Sequence, residues 1–90
     1  MKHAGTQALA ALAPLLTELR ALPGWVERKP CTFYRAGTAM LHFHEDPAGL
    51  FADLKQDGRF VRWPVNTRAQ QRAVWVAARD MLQSARALQS

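Results

Sequence analysis

His42 and His44 stand two residues apart, so on a β-strand they project from one face with their Cβ atoms about 7 Å apart, near enough to share a metal ion. A carboxylate on the facing strand would complete a two-histidine, one-carboxylate set, and Asp53 is the candidate. The same residues have a plainer use: Asp53 between His42 and Arg62 makes a polar row across three strands that pins the sheet. Ion-pair rows outnumber metal sites, so the expectation is no metal and no cofactor, with His42, His44 and Asp53 kept as the only candidate ligands. Tyr34, Arg62 and His42 are available as acid, anion clamp and base, but they form no recognised arrangement. The chain has no serine in a nucleophile elbow, no glycine-rich phosphate loop and one cysteine, so an enzyme reading lacks a nucleophile.

Whether Asp53 meets His42 depends on strand register, which the turns specify. Asp46-Pro47-Ala48-Gly49 has the residue order of a type I turn, and it sets His42 against Asp53 and Leu41 against Leu54. Asp57-Gly58 suits a two-residue type I′ hairpin, which sets Asp53 against Arg62 and Leu54 against Val61. A three-residue loop there would turn Val61 and Trp63 to the polar side, so the hydrophobic pattern selects the shorter one. Upstream, Cys31 to Tyr34 reads as a strand, and Arg35-Ala36-Gly37 as a three-residue turn with Gly37 in a bulge; Phe33 then faces Ala39 and Cys31 faces Leu41. One apolar face results, made of Cys31, Phe33, Ala39, Leu41, Phe43, Leu50, Ala52, Leu54, Val61, Trp63 and Val65. The opposite face carries Tyr34, Met40, His42, His44, Phe51, Asp53, Phe60 and Arg62.

Helices flank these strands. Leu9, Leu12, Leu15, Leu16, Leu19 and Leu22 recur at helical spacing. Pro14 would clash inside that helix, so the ordered part is expected to begin near Ala13 with Pro14 at its first position; residues up to 12 are allowed to fray. Pro23-Gly24 ends the helix, and Trp25 to Lys29 is a short first strand. Thr67-Arg68-Ala69-Gln70 fits a capping box that opens a second helix. Val74, Ala77, Ala78, Met81, Ala85 and Leu88 form its stripe, with Trp75 and Leu82 on the flank. The expected fold is a single α+β domain over residues 1–90, a two-layer sandwich of helix, five-stranded antiparallel β-meander and helix.

The segment Leu41-His42-Phe43-His44-Glu45-Asp46-Pro47-Ala48-Gly49-Leu50-Phe51-Ala52-Asp53, with Glu27-Arg28-Lys29 and Phe33-Tyr34-Arg35 before it, resembles a family of small bacterial proteins of no known activity. The similarity covers roughly residues 15–83, and it implies no reaction. The order of elements also resembles frataxin-like domains. Their first helix is acidic and this one carries only Glu18, so iron handling does not follow.

Composition narrows the function classes. Ninety residues, 49% of them hydrophobic, support one modest core. The lone cysteine cannot make an internal disulfide and is expected in the core, which suits a reducing, cytoplasmic setting. The stretch from Ala8 to Leu22 contains Pro14, Glu18 and Arg20 and is too short and polar to span a bilayer, so no membrane partner is expected. A net charge of +5 invites a nucleic-acid reading, with Arg68, Arg72, Arg79 and Arg86 along the second helix and Trp75 or Tyr34 to stack on bases. The twelve Lys and Arg residues are scattered, however, which is what a solvated surface shows. Tyr34, Met40, Phe51 and Phe60 are aromatic or apolar where a monomeric sandwich would face water. The preferred expectation is therefore an interaction module that homodimerises through this face.

Overall fold

The computed structural model describes residues 2–3 and 5–89, with side chains from 5 to 84. The elements are β1 (Lys2–His3), α1 (Thr6–Arg20), β2 (Val26–Lys29), β3 (Thr32–Arg35), β4 (Thr38–Asp46), β5 (Gly49–Gln56), β6 (Arg59–Pro64) and α2 (Arg68–Gln89). β2 to β6 form an antiparallel meander in sequence order, and both helices pack on one of its faces. β1 pairs with the end of β4, where Lys2 meets Glu45 and His3 meets His44.

The central register is the one the turns dictate. β4 and β5 pair Leu41 with Leu54, His42 with Asp53 and Asp46 with Gly49; β5 and β6 pair Asp53 with Arg62 and Leu54 with Val61. Asp46 Oδ1 accepts from Ala48 N at 2.9 Å, which closes the first turn. Asp57 and Gly58 both take positive φ, 52° and 83°, as a type I′ turn requires. At Gly49 the constraint is also steric. Its φ is 132°, and an added Cβ would lie 2.7 Å from Asn66 Oδ1. That oxygen accepts from Leu50 N at 2.7 Å while Asn66 Nδ2 donates to Leu50 O at 3.2 Å, so the start of β5 is tied to the segment entering α2.

The β3–β4 connection differs from the expected three-residue turn. Arg35 pairs with Thr38 across a two-residue turn in which Ala36 and Gly37 have φ of 52° and 82°. Phe33 pairs with Leu41, and one extra residue, Met40, sits in a bulge on β4 between the Tyr34–Ala39 and Phe33–Leu41 pairs. The bulge restores the parity that the shorter turn would have inverted, so Phe33 and Leu41 still face inward. Cys31 is buried but lies in the turn after Pro30, with φ 61°, rather than in the strand.

α1 begins at Thr6, seven residues earlier than Pro14 had suggested, and carries Pro14 in its interior. Burial of Ala8 and Leu12 with Leu15, Leu16 and Leu19 outweighs the proline penalty, and the cost is limited because Pro14 and Ala10 are exposed. The Ala10 carbonyl that Pro14 leaves without a helical donor therefore faces water. Glu45 Oε1 accepts from Gly5 N at 3.0 Å and anchors the start of the helix.

α2 opens on the expected capping box: Gln70 N donates to Thr67 Oγ1 at 3.1 Å and Thr67 N to Gln70 Oε1 at 3.3 Å. Val74, Ala78 and Leu82 are its buried apolar residues, with Trp75, Ala77 and Met81 partly buried beside them. The side chains of Ala85, Arg86 and Leu88 lie outside the described residues. Two core members escape the hydrophobic pattern. Gln71 is buried, its Nε2 donating to Val65 O at 3.2 Å and Ala11 O at 3.3 Å, which joins both helices to the end of the sheet. Trp25 is buried against Phe33 with ring centroids 4.8 Å apart, and its Nε1 donates to Leu19 O at 2.9 Å. Among the described residues no helix is long and apolar enough to cross a membrane.

Candidate functional site

The face of the sheet turned away from the helices carries the polar cluster. Asp53, in the middle of β5, is only 7% exposed although no helix covers it; its neighbours on β4 and β6 do. Arg62 Nε donates to Asp53 Oδ1 at 2.8 Å and Arg62 Nη2 to Oδ2 at 2.9 Å, a two-point grip. His44 Nε2 lies 2.9 Å from the same Oδ2, within hydrogen-bond distance, and His42 Nδ1 is 4.0 Å from it. Direct cross-strand pairing places His42 beside Asp53, yet the close contact is with His44, its diagonal neighbour. Sheet twist brings such diagonal pairs within reach of long side chains.

The electrostatics follow from this grip. The Arg62 guanidinium holds the Asp53 carboxyl below the usual carboxylate range, against the opposing effect of burial. Arg62 is pushed upward in return by its hydrogen bonds to Asp53.

Aromatic rings frame the cluster. His42 stacks edge-on against His44, with centroids 4.6 Å apart, and against Phe60 at 4.8 Å. Lys55 Nζ sits 5.8 Å from the Phe60 ring centroid and the Arg62 guanidinium carbon 6.0 Å from that of Phe51, both at cation–π range. The register places Tyr34 on the same side, facing Val26 across the β2–β3 ladder. Of the residues expected on this face, His42, His44, Phe51, Asp53, Phe60 and Arg62 come together, and Tyr34 lies toward the β2 edge.

Met40 does not belong to the face. The bulge turns it to the helix side, where it packs on the core and lines an open groove of about 970 Å³ between α2 and the turns at 36–37 and 57–58, with Trp63, Ala77 and Met81. Val61 pairs with the buried Leu54 and so has the expected parity, but it is 38% exposed.

Other charged groups have structural work. Arg20 Nε donates to Glu27 Oε1 at 2.7 Å, and Glu27 Oε2 accepts from Cys31 N at 2.7 Å, which closes the tight β2–β3 turn. Burial raises the pKa of the Cys31 thiol, which makes it a poor nucleophile. On α2, the guanidinium carbons of Arg72 and Arg79 lie 4.8 and 5.1 Å from the centroid of Trp75, so this ring already has cationic partners where a stacked base would sit.

Comparison with known protein families, with curated proteins and with solved structures gives no match.

Proposed function

From the geometry alone, we propose that the chain is an interaction module that pairs with a second copy of itself through the outer face of its sheet. The observation that carries this reading is where the uncovered apolar side chains sit. Among the described residues, the exposed large hydrophobics are Val26, Phe60 and Val61. Val26 and Phe60 lie on the outer face, at its two edges, whereas Val61, next to Phe60 on the edge strand β6, points to the helix side. Between the edges lie Tyr34, the histidines, Phe51 and Arg62, a composition enriched in contact surfaces.

A second copy suits this face because it offers both halves of the same contact. Cations and aromatic rings already pair within the chain, Lys55 with Phe60 and Arg62 with Phe51, and a two-fold axis would let such pairs form again between copies. Asp53, the one acidic side chain in the centre of the face, is already satisfied by Arg62 and His44, so closing the face leaves no bare carboxylate in a dry interface. A standard interface takes about 800 Å² from each partner. Against a total surface of 5526 Å² that demands most of one face rather than a single edge.

The test is sedimentation velocity over a concentration series reaching tens of micromolar. The expected result is a dimer that Val26→Glu and Phe60→Glu each shift to monomer, although the two residues lie at opposite edges. A wild-type chain that stays monomeric throughout, or a dimer indifferent to both variants, overturns the proposal.

A further inference from the structure

We propose that His42, His44 and Asp53 form a binding site for a divalent transition metal of the zinc class. Their ligand atoms all lie within 4.8 Å of one another. Two imidazoles turn a nitrogen toward one carboxylate oxygen, His44 Nε2 at 2.9 Å and His42 Nδ1 at 4.0 Å from Asp53 Oδ2. A four-coordinate ion with bonds of about 2.0–2.1 Å sets its donors a little over 3 Å apart, and these separations bracket that value. Side-chain adjustment without movement of the strands therefore admits the ion.

The scaffold is built for such a set. His42 and His44 alternate on β4, and the β4–β5 ladder places Asp53 directly across from His42. The His42 ring is set edge-on against Phe60, which limits its rotation. Arg62 supplies the outer support that a ligating carboxylate needs, gripping Asp53 through both oxygens and fixing its plane. Arg62 is a positioning residue in this arrangement and touches no metal. The ion replaces the hydrogen bond between His44 and Asp53, with both imidazoles neutral toward it.

Donor chemistry selects the metal class. Two imidazoles and one carboxylate favour zinc, cobalt, nickel or copper, whereas calcium and magnesium require more oxygen donors than one aspartate provides. Among the described residues the set offers three protein ligands, which leaves a fourth position on the outer face, the pattern of an exchangeable site and not of a closed structural one. The nearby guanidinium opposes a second cation, so affinity falls short of that of a thiolate-rich site.

The experiment is isothermal titration of the chelator-treated chain with zinc chloride, backed by the visible absorption of the cobalt-loaded chain. The expected result is one ion per chain, with binding weakened about tenfold or more in His42→Ala, His44→Ala and Asp53→Asn, and unchanged in Asp80→Asn, which removes an exposed carboxylate on α2. His42→Gln serves if His42→Ala fails to fold, and intense visible absorption of the cobalt-loaded wild type reports a four-coordinate protein site without any variant. No saturable binding, or binding kept in both His42→Ala and His44→Ala, overturns the site.

Discussion

Arg62 holds Asp53 through both carboxylate oxygens, at 2.8 and 2.9 Å, from the adjacent edge strand, and this pair fixes the geometry of the whole outer face. The grip has a pH signature. With its pKa lowered in the folded state, Asp53 contributes stability that is fully present above its unfolded value of about 3.9 and is lost as pH falls through the folded value. Asp53→Asn should therefore melt below wild type at neutral pH, and the gap should close in acid. A gap that persists unchanged below about pH 3 would assign the effect to packing instead.

Pro14→Ala is expected to stabilise the domain, by up to about 3 kcal/mol, since Pro14 is exposed within α1 and its replacement restores a helical hydrogen bond to the Ala10 carbonyl. Denaturant melts decide it. A helix starting at Ala13 would instead make Pro14 favourable, and the substitution would be neutral or harmful.

The two turn glycines should respond differently. Gly58→Ala meets open space and bears only the cost of positive φ, about 1–2 kcal/mol. Gly49→Ala adds a collision with Asn66 Oδ1 and disturbs its two bonds to Leu50, so it should lower the melting temperature more. Gly58→Val should also destabilise, and an unchanged melting temperature there would count against the Asp57-Gly58 turn.

Gln71→Ala should cost about 2 kcal/mol, because Nε2 serves the Val65 and Ala11 carbonyls from a buried position. Urea unfolding measures it, and a loss of a few tenths would mean that water replaces the amide.

How much of this was legible in the sequence depended on whether local chemistry was unambiguous. Asp46-Pro47-Ala48-Gly49 and Asp57-Gly58 have one sensible turn each, and with alternating hydrophobics on either side they fix the pairing of His42, Asp53 and Arg62. Ala36 carries no such signal. A non-glycine residue at φ 52° is not foreseeable from residue type, so the two-residue turn and the bulge that sends Met40 to the core side were missed. Pro14 misled because local propensity lost to the burial of Ala8 and Leu12. The cluster itself was legible as a set of Cα partners, but not in its side-chain detail. Sheet twist favours the diagonal His44–Asp53 contact, and nothing in residue spacing reveals that. Gln71 could have been found: positions 71, 74, 78 and 82 share one helical face, and a glutamine there implies a buried amide with carbonyls to serve.

The most direct test of the self-pairing face is an isotope-filtered NMR experiment on a mixture of labelled and unlabelled chain. The account predicts intermolecular contacts from the Phe60 ring and the Val26 methyls to the outer sheet face. Intermolecular contacts confined to the exposed sides of α1 and α2, or none at a concentration where the chain is dimeric by sedimentation, would contradict it.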